Sequence, residues 1–118
     1  MKKIFHLSTC TTCQRILNEW SVPESVTLQD IKSDLYSEEE LDKMKELAGS
    51  YEAIFSKRAM KYKEWNVKDK VKTDDDYREF LLKDYSFLKR PVLVYEDTIF
   101  AGNSKKTVEA AGNFLASL

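Results

Sequence analysis

Cys10 and Cys13 are the only cysteines in a chain of 118 residues, and Thr11 and Thr12 between them set a Cys-x-x-Cys spacing. A thiol is a weak nucleophile until it ionises, and a helix N-terminus offers free N–H groups and partial positive charge that favour a thiolate. Three residues make about one helical turn, so a sulfur at Cys13 can reach back and resolve a mixed disulfide formed at Cys10. The pair can then cycle between dithiol and disulfide. Two plainer readings compete. A tetrahedral zinc site needs about four ligands, and beyond the two cysteines the chain offers only His6 and carboxylates. Two inert core thiols would be unusual at the junction of a strand and a helix.

His6 is the only histidine, four residues ahead of Cys10. Close to the sulfur and protonated, it would favour the thiolate; as an ordinary strand-end residue it would hydrogen-bond locally. Arg90 immediately precedes Pro91 at the entry to an apolar run, which makes it the best candidate for contacting an anion, or else the partner of a carboxylate. Between Lys57 and Lys72, seven basic residues, Arg58 among them, face only Glu64 and Asp69. Such a run can steer an anionic substrate or an acidic partner. It can equally form a solvated face balanced by Asp74 to Asp76.

The elements that must hold these residues are legible from periodicity. Lys3 to Leu7 reads as a short buried strand, and Thr11 to Trp20 shifts to helical spacing with Ile16, Leu17 and Trp20 on one face. Val26, Leu28 and Ile31 roughly alternate with polar residues, as a second strand would, and a crossover of that length favours parallel pairing. Ser37 with Glu40 is a capping box, and Leu41, Met44 and Leu47 continue a helix over about 38–48 until Gly49 stops it. Tyr51 to Trp65 suits one or two short helices, and Asn66 to Lys72 a charged loop. Thr73 and the three aspartates after it suit a helix N-terminus. Val92 to Tyr95 and Thr98 to Phe100 read as a hairpin, and Ser104 caps a last helix burying Val108, Ala111, Phe114 and Leu115.

The order is β-α-β, a helical insertion at about 33–86, then β-β-α: an α/β, thioredoxin-like fold with a mixed four-stranded sheet, read as a single domain over 1–118. Hydrophobic residues at 42% and charged residues at 33% describe a folded protein and exclude disorder or a disulfide scaffold. A net charge of −1 gives no global attraction to nucleic acid or to an anionic membrane. Met1 to Leu7 is too short an apolar stretch for an export signal, and no run approaches the roughly 18–20 residues of a membrane span. A cytoplasmic location is the expectation, and there a close cysteine pair is more often catalytic than structural.

Three stretches together resemble the ArsC/Spx family of thioredoxin-fold proteins, which includes glutaredoxin-linked arsenate reductases and Spx transcriptional regulators. They are Cys10-Thr11-Thr12-Cys13-Gln14-Arg15, Ile54-Phe55-Ser56-Lys57-Arg58, and Phe87-Leu88-Lys89-Arg90-Pro91-Val92-Leu93-Val94. The resemblance implies that Cys10 is the nucleophile and that His6 stands where the arsenate reductases carry a histidine promoting thiolate formation. It also implies that Pro91 is a cis-proline packed beside Cys10, and that Arg90 contacts the bound oxyanion or thiol, with Thr11, Thr12 and Arg58 beside the substrate. The arsenate reductases read the oxyanion with three arginines; Arg90 matches one, and Ser56 and Gly102 stand at the places of the others. A second cysteine at the place of Cys13 is a feature of the Spx-type proteins, where it forms a regulatory disulfide.

Three functions follow. The first is a thiol-disulfide redox enzyme with no bound cofactor or metal, taking electrons from glutathione or a glutaredoxin. The second is an Spx-like regulator binding the RNA polymerase α subunit, without direct nucleic-acid contact. The third is a redox-inert binding module.

Overall fold

Lys2–His6 forms the first strand, β1, in the computed structural model of the chain, which describes residues 1–118. Ile4 and Phe5 are both fully buried, on opposite faces of it, as the two-residue period of a strand dictates. Helix α1 (Thr11–Glu19) leads to β2 (Thr27–Asp30), which pairs parallel to β1 with Asp30 opposite His6. β3 (Val92–Tyr95) and β4 (Thr98–Ala101) form an antiparallel hairpin, and β3 also lies antiparallel to β1. The sheet order is β2-β1-β3-β4, a mixed four-stranded sheet of the thioredoxin-like kind.

The chain divides into two compact units, one of Met1–Tyr36 with Arg90–Leu118 and one of Ser37–Lys89. In the first, Ile4 and Leu93 from the sheet pack with Ile16 and Trp20 of the α1 segment, Val26, and Ala111 and Leu115 of the last helix, α6 (Lys105–Ala116). Each large aliphatic side chain so buried stabilises the fold by about 1.5–3 kcal/mol. The Trp20 indole N–H donates to the Val108 carbonyl at 3.1 Å, and Gly112 on the next turn leaves room for the ring. A Cβ there would stand 3.1 Å from Trp20 Cδ1.

β2 departs from the alternation expected of it. Val26 and Ile31 are buried, but Leu28, on β2 at the edge of the sheet, is 49% exposed. Gln29 is buried instead, accepting from Lys3 Nζ at 3.0 Å and donating to the Asp34 carbonyl at 2.9 Å. A buried amide is tolerated when both its ends are bonded in this way.

The second unit is helical. In α2 (Glu38–Ala48) the Glu40 N–H donates to Ser37 Oγ and the Ser37 N–H to Glu40 Oε1, and the helix ends at Gly49, whose φ of 101° suits glycine. A 3₁₀ turn (Glu52–Ile54), α3 (Met60–Glu64), α4 (Val67–Lys70), α5 (Asp74–Lys83) and a second 3₁₀ turn (Tyr85–Phe87) follow. The charged loop expected at 66–72 thus contains a helical turn, because Val67 is fully buried and anchors it. Phe55 is stacked on Phe87 and meets Tyr77 edge-on, while Trp65 and Phe80 each meet Phe87 edge-on.

The acidic run before α5 does more than complement a helix dipole. Asp74 accepts from the Tyr51 and Glu52 N–H groups, and Asp76 from those of Lys72 and Thr73. Arg78 of α5 donates from Nε and Nη2 to Asp42 of α2, at 2.8 and 3.2 Å, and from Nη2 to Glu38 at 3.1 Å. The Tyr51 hydroxyl also donates to Asp42, at 2.5 Å. These bonds, Arg78's first, hold the Asp42 carboxyl below the usual carboxylate range. No helix is long and apolar enough to cross a membrane.

Two predictions follow from this packing. A glycine in a helix interior normally gains about 1 kcal/mol on change to alanine, but Gly112→Ala should instead lose about that much in urea unfolding, because the Trp20 ring is held in place; a gain would show that it yields. A carboxyl depressed in the folded state stabilises above its unfolded pKa, and that contribution disappears as pH falls through the folded value. Wild type should therefore lose more stability than Arg78→Leu between about pH 5 and pH 2, read by circular dichroism; equal losses would deny the clamp its role.

Candidate redox site

β1 ends at His6, and the chain reverses through Leu7, Ser8 and Thr9 into α1. The Cys10 N–H donates to the Leu7 carbonyl at 3.0 Å, and the Cys10 carbonyl accepts from the Gln14 N–H at 3.0 Å, so Cys10 is the N-cap residue of α1. That place is usually held by Ser, Thr, Asp or Asn, whose oxygen accepts from the first turn. The Cys10 side chain makes no such bond, and no carboxylate stands in the first turn. The positive end of the helix is therefore left for the sulfur or for an anion bound beside it.

Asp30, at the end of β2, pins the turn. Its carboxylate accepts from Ser8 Oγ at 2.6 Å, from the Ser8 N–H at 3.2 Å and from the Lys32 N–H at 3.3 Å. Led by the Ser8 hydroxyl, these bonds hold it below the usual carboxylate range. From the helix side Gln14 reaches back: its Nε2 lies 3.0 Å from the Leu7 carbonyl and 3.1 Å from His6 Nδ1. Burial pushes the His6 imidazole down from its ordinary value, against an upward pull from Asp30.

The two cysteines are free thiols in different surroundings: Cys10 is half-buried, Cys13 is 1% exposed. Burial pushes the Cys13 thiol up; a hydrogen bond with the Leu7 backbone and the charge of Arg90 pull down, while a charge on Cys10 adds to the rise. Cys13 is thus a protonated, shielded thiol at neutral pH, and Cys10 the accessible one. Arg90 acts on this sulfur from the entry to β3, and its bond to the buried Pro91 is cis.

Among the other candidates, Thr11 is exposed and Thr12 half-buried on the first turn of α1. Arg58 belongs to the second unit, exposed ahead of α3. In the basic run, Lys57 pairs with Glu52 at 2.6 Å and Lys61 with Asp84. No group of three or more His, Cys, Asp or Glu side chains is arranged to hold a metal ion. Asp30, Ser8 and Gln14 were not singled out by residue type. Their roles depend on bonds across the chain, and the one hint in the sequence is that Gln14 directly follows Cys13 and Asp30 closes the strand after the helix.

The ArsC family profile matches residues 5–111, which span this site and both units. The chain belongs to the ArsC family. An ArsC-family-related protein of Bacteroides fragilis is 25% identical, with a TM-score of 0.74 and coverage of 93% of this chain and 97% of its own. A Staphylococcus aureus protein solved by NMR is 27% identical, with a TM-score of 0.73 and the same coverage. An arsenate reductase from Vibrio cholerae shares the fold at 22% identity and a TM-score of 0.71, covering 92% of this chain and 97% of its own. No curated protein sequence matches the chain.

The unequal burial of the cysteines sets their order of reaction. With a small alkylating reagent near neutral pH, followed by peptide mass spectrometry, Cys10 should be modified at least about 10-fold faster than Cys13. Denaturant should remove the difference. Equal native rates would contradict the shielding of Cys13.

Proposed function

We propose that this ArsC-family chain is a thiol-disulfide oxidoreductase in which Cys10 is the nucleophile, Cys13 the resolving thiol, and glutathione or a glutaredoxin the electron donor. The observation that carries this reading is the half-buried sulfur at the N-cap of α1, with a second, protonated thiol one turn further along. In the first step the Cys10 thiolate attacks one sulfur of a substrate disulfide. The S–S bond breaks, the other half leaves as a thiolate and takes up a proton, and Cys10 is left in a mixed disulfide. Cys13 then gives up its proton and attacks the Cys10 sulfur, releasing the second substrate thiol. The substrate has gained two electrons, and the chain holds a Cys10–Cys13 disulfide that two donor thiols reduce in turn.

Arg90 has two roles in this scheme. Its charge lowers the cost of ionising Cys13 in the second step, and it is the one arginine of the family's oxyanion set that this chain retains. Gly102, at the place of another, has a φ of 103°, a backbone that side-chain-bearing residues rarely adopt. That favours a disulfide or glutathionylated thiol as substrate over an oxyanion held by three arginines. Thr11, Thr12 and Pro91 are the further substrate contacts of the proposal, and His6 its candidate assisting group.

Turnover of a small mixed disulfide with glutathione, with and without glutaredoxin, tests the reading through coupled glutathione reductase. Cys10→Ser should fall to the uncatalysed background. Cys13→Ser should accumulate a mixed disulfide on Cys10, visible by mass. Activity retained in Cys10→Ser, or absence of turnover with RNA polymerase α subunit co-purifying, would count against the enzyme.

A further inference from the structure

Gln14 has no chemistry of its own to offer a thiol reaction, yet its amide touches both the turn before Cys10 and the imidazole of His6. The Leu7 carbonyl can only accept, so the end of the Gln14 side chain 3.0 Å from it must be the NH2 group. The same nitrogen stands 3.1 Å from His6 Nδ1. Two donors do not bond to one another, so Nδ1 must be the accepting nitrogen. A neutral imidazole whose Nδ1 accepts carries its proton on Nε2.

We infer that Gln14 is a positioning residue that locks His6 as the uncharged imidazole protonated on Nε2, so that no imidazolium takes part in the chemistry of Cys10. The inference rests on the thiol-redox reading only for its consequence at Cys10. The lock itself stands on geometry alone.

Protonating His6 on Nδ1 would set an N–H against the Gln14 NH2. Flipping the amide to receive it would set Gln14 Oε1 against the Leu7 carbonyl oxygen, which already accepts from the Cys10 N–H. The first change sacrifices the Gln14–His6 bond, the second the Gln14–Leu7 bond of the turn that holds Cys10. The ionisable groups on the elements flanking His6 are Asp30 on β2, Cys10, Cys13, Arg15 and Glu19 in the α1 segment, Arg90 before β3 and Tyr95 at its end. Asp30 is the one whose charge acts on His6; it favours the cation, and burial outweighs it. Asp30 is itself held by Ser8 and Lys32, and the Gln14 amide meets His6 from the helix side.

His6 is the only histidine, so its nitrogen resonances need no assignment. Long-range proton–nitrogen NMR of the full chain across pH should show Nε2 protonated and Nδ1 accepting in the neutral form, with a midpoint below the ordinary 6.5. Gln14→Glu replaces the donor by a carboxylate and should move the proton to Nδ1 and raise the midpoint by about one pH unit or more. Gln14→Met, of similar size but without a donor, should leave a mixture of the two tautomers. In wild type, the pH profile of Cys10 alkylation should show no inflection at the His6 midpoint.

A wild-type imidazole protonated on Nδ1 would overturn the inference, and so would a tautomer and midpoint unchanged in both variants. An alkylation inflection at the His6 midpoint would overturn the claim that no imidazolium takes part. Loss of the redox reading, shown by turnover persisting in Cys10→Ser, would leave the NMR result standing, so the two failures are distinguishable.

Discussion

The Leu7 carbonyl is where the strand, the helix and the cysteine pair are tied together. A chain leaving β1 must reverse within three residues to start α1 at Cys10, and that reversal is closed by the Cys10 N–H and the Gln14 amide, both donating to this one oxygen. Leu7 is itself buried, and its backbone also bonds the Cys13 thiol. β1 lies between β2 and β3 in the sheet, so the turn springs from an interior strand and not from a loose edge. Asp30 holds the other side of the turn through Ser8. The Cys10 backbone is thereby fixed by its own bond to Leu7 and by two side chains, Gln14 and Asp30, that grip the turn.

From that anchored turn, burial puts two chemically identical side chains in two different environments. Cys10 stands at the helix end with no capping partner, where an anion meets the unbonded N–H groups of the first turn. Cys13, one turn on, faces the core, and its ionisation is costly until a nearby charge offsets the desolvation. Arg90 supplies that charge from the start of β3. The proposed nucleophile and the proposed resolving thiol need this kind of inequality, since two equally exposed thiols would compete for the same substrate.

The second unit is organised by different forces. Its core is largely aromatic, centred on Phe55 and Phe87, and its short helices are fastened by carboxylates that accept backbone N–H groups: Asp74 at the first 3₁₀ turn, Asp76 before α5, Asp84 before the last. Helices of four or five residues have almost no stability of their own. α3 and α4 have no side-chain cap; ring contacts of Tyr62 with Phe55 and of Trp65 with Phe87 hold α3, and the buried Val67 holds α4. Part of the basic run is also committed locally, through Lys57 to Glu52 and Lys61 to Asp84.

Local chemistry was enough for the sequence by itself to determine the element order, the capping box at Ser37 and Glu40, the stop at Gly49, the last helix, and the placing of Cys10 and Cys13 at a strand-to-helix junction. Each of these depends on spacing or on a residue's intrinsic conformational preference, and both are properties of neighbours in the chain. Tertiary structure decided the rest. Leu28 is exposed and Gln29 buried because they point to opposite faces of β2 and only the face of Gln29 is covered there, and a periodicity cannot report which face of an outermost strand is covered. The turn at Val67 forms because a single apolar residue finds the core from within a run of charges. Above all, the proton on His6, the shielding of Cys13 and the roles of Gln14 and Asp30 come from contacts between residues on different elements. A protonation state depends on the energy of a group's surroundings, and those surroundings exist only once the chain has folded.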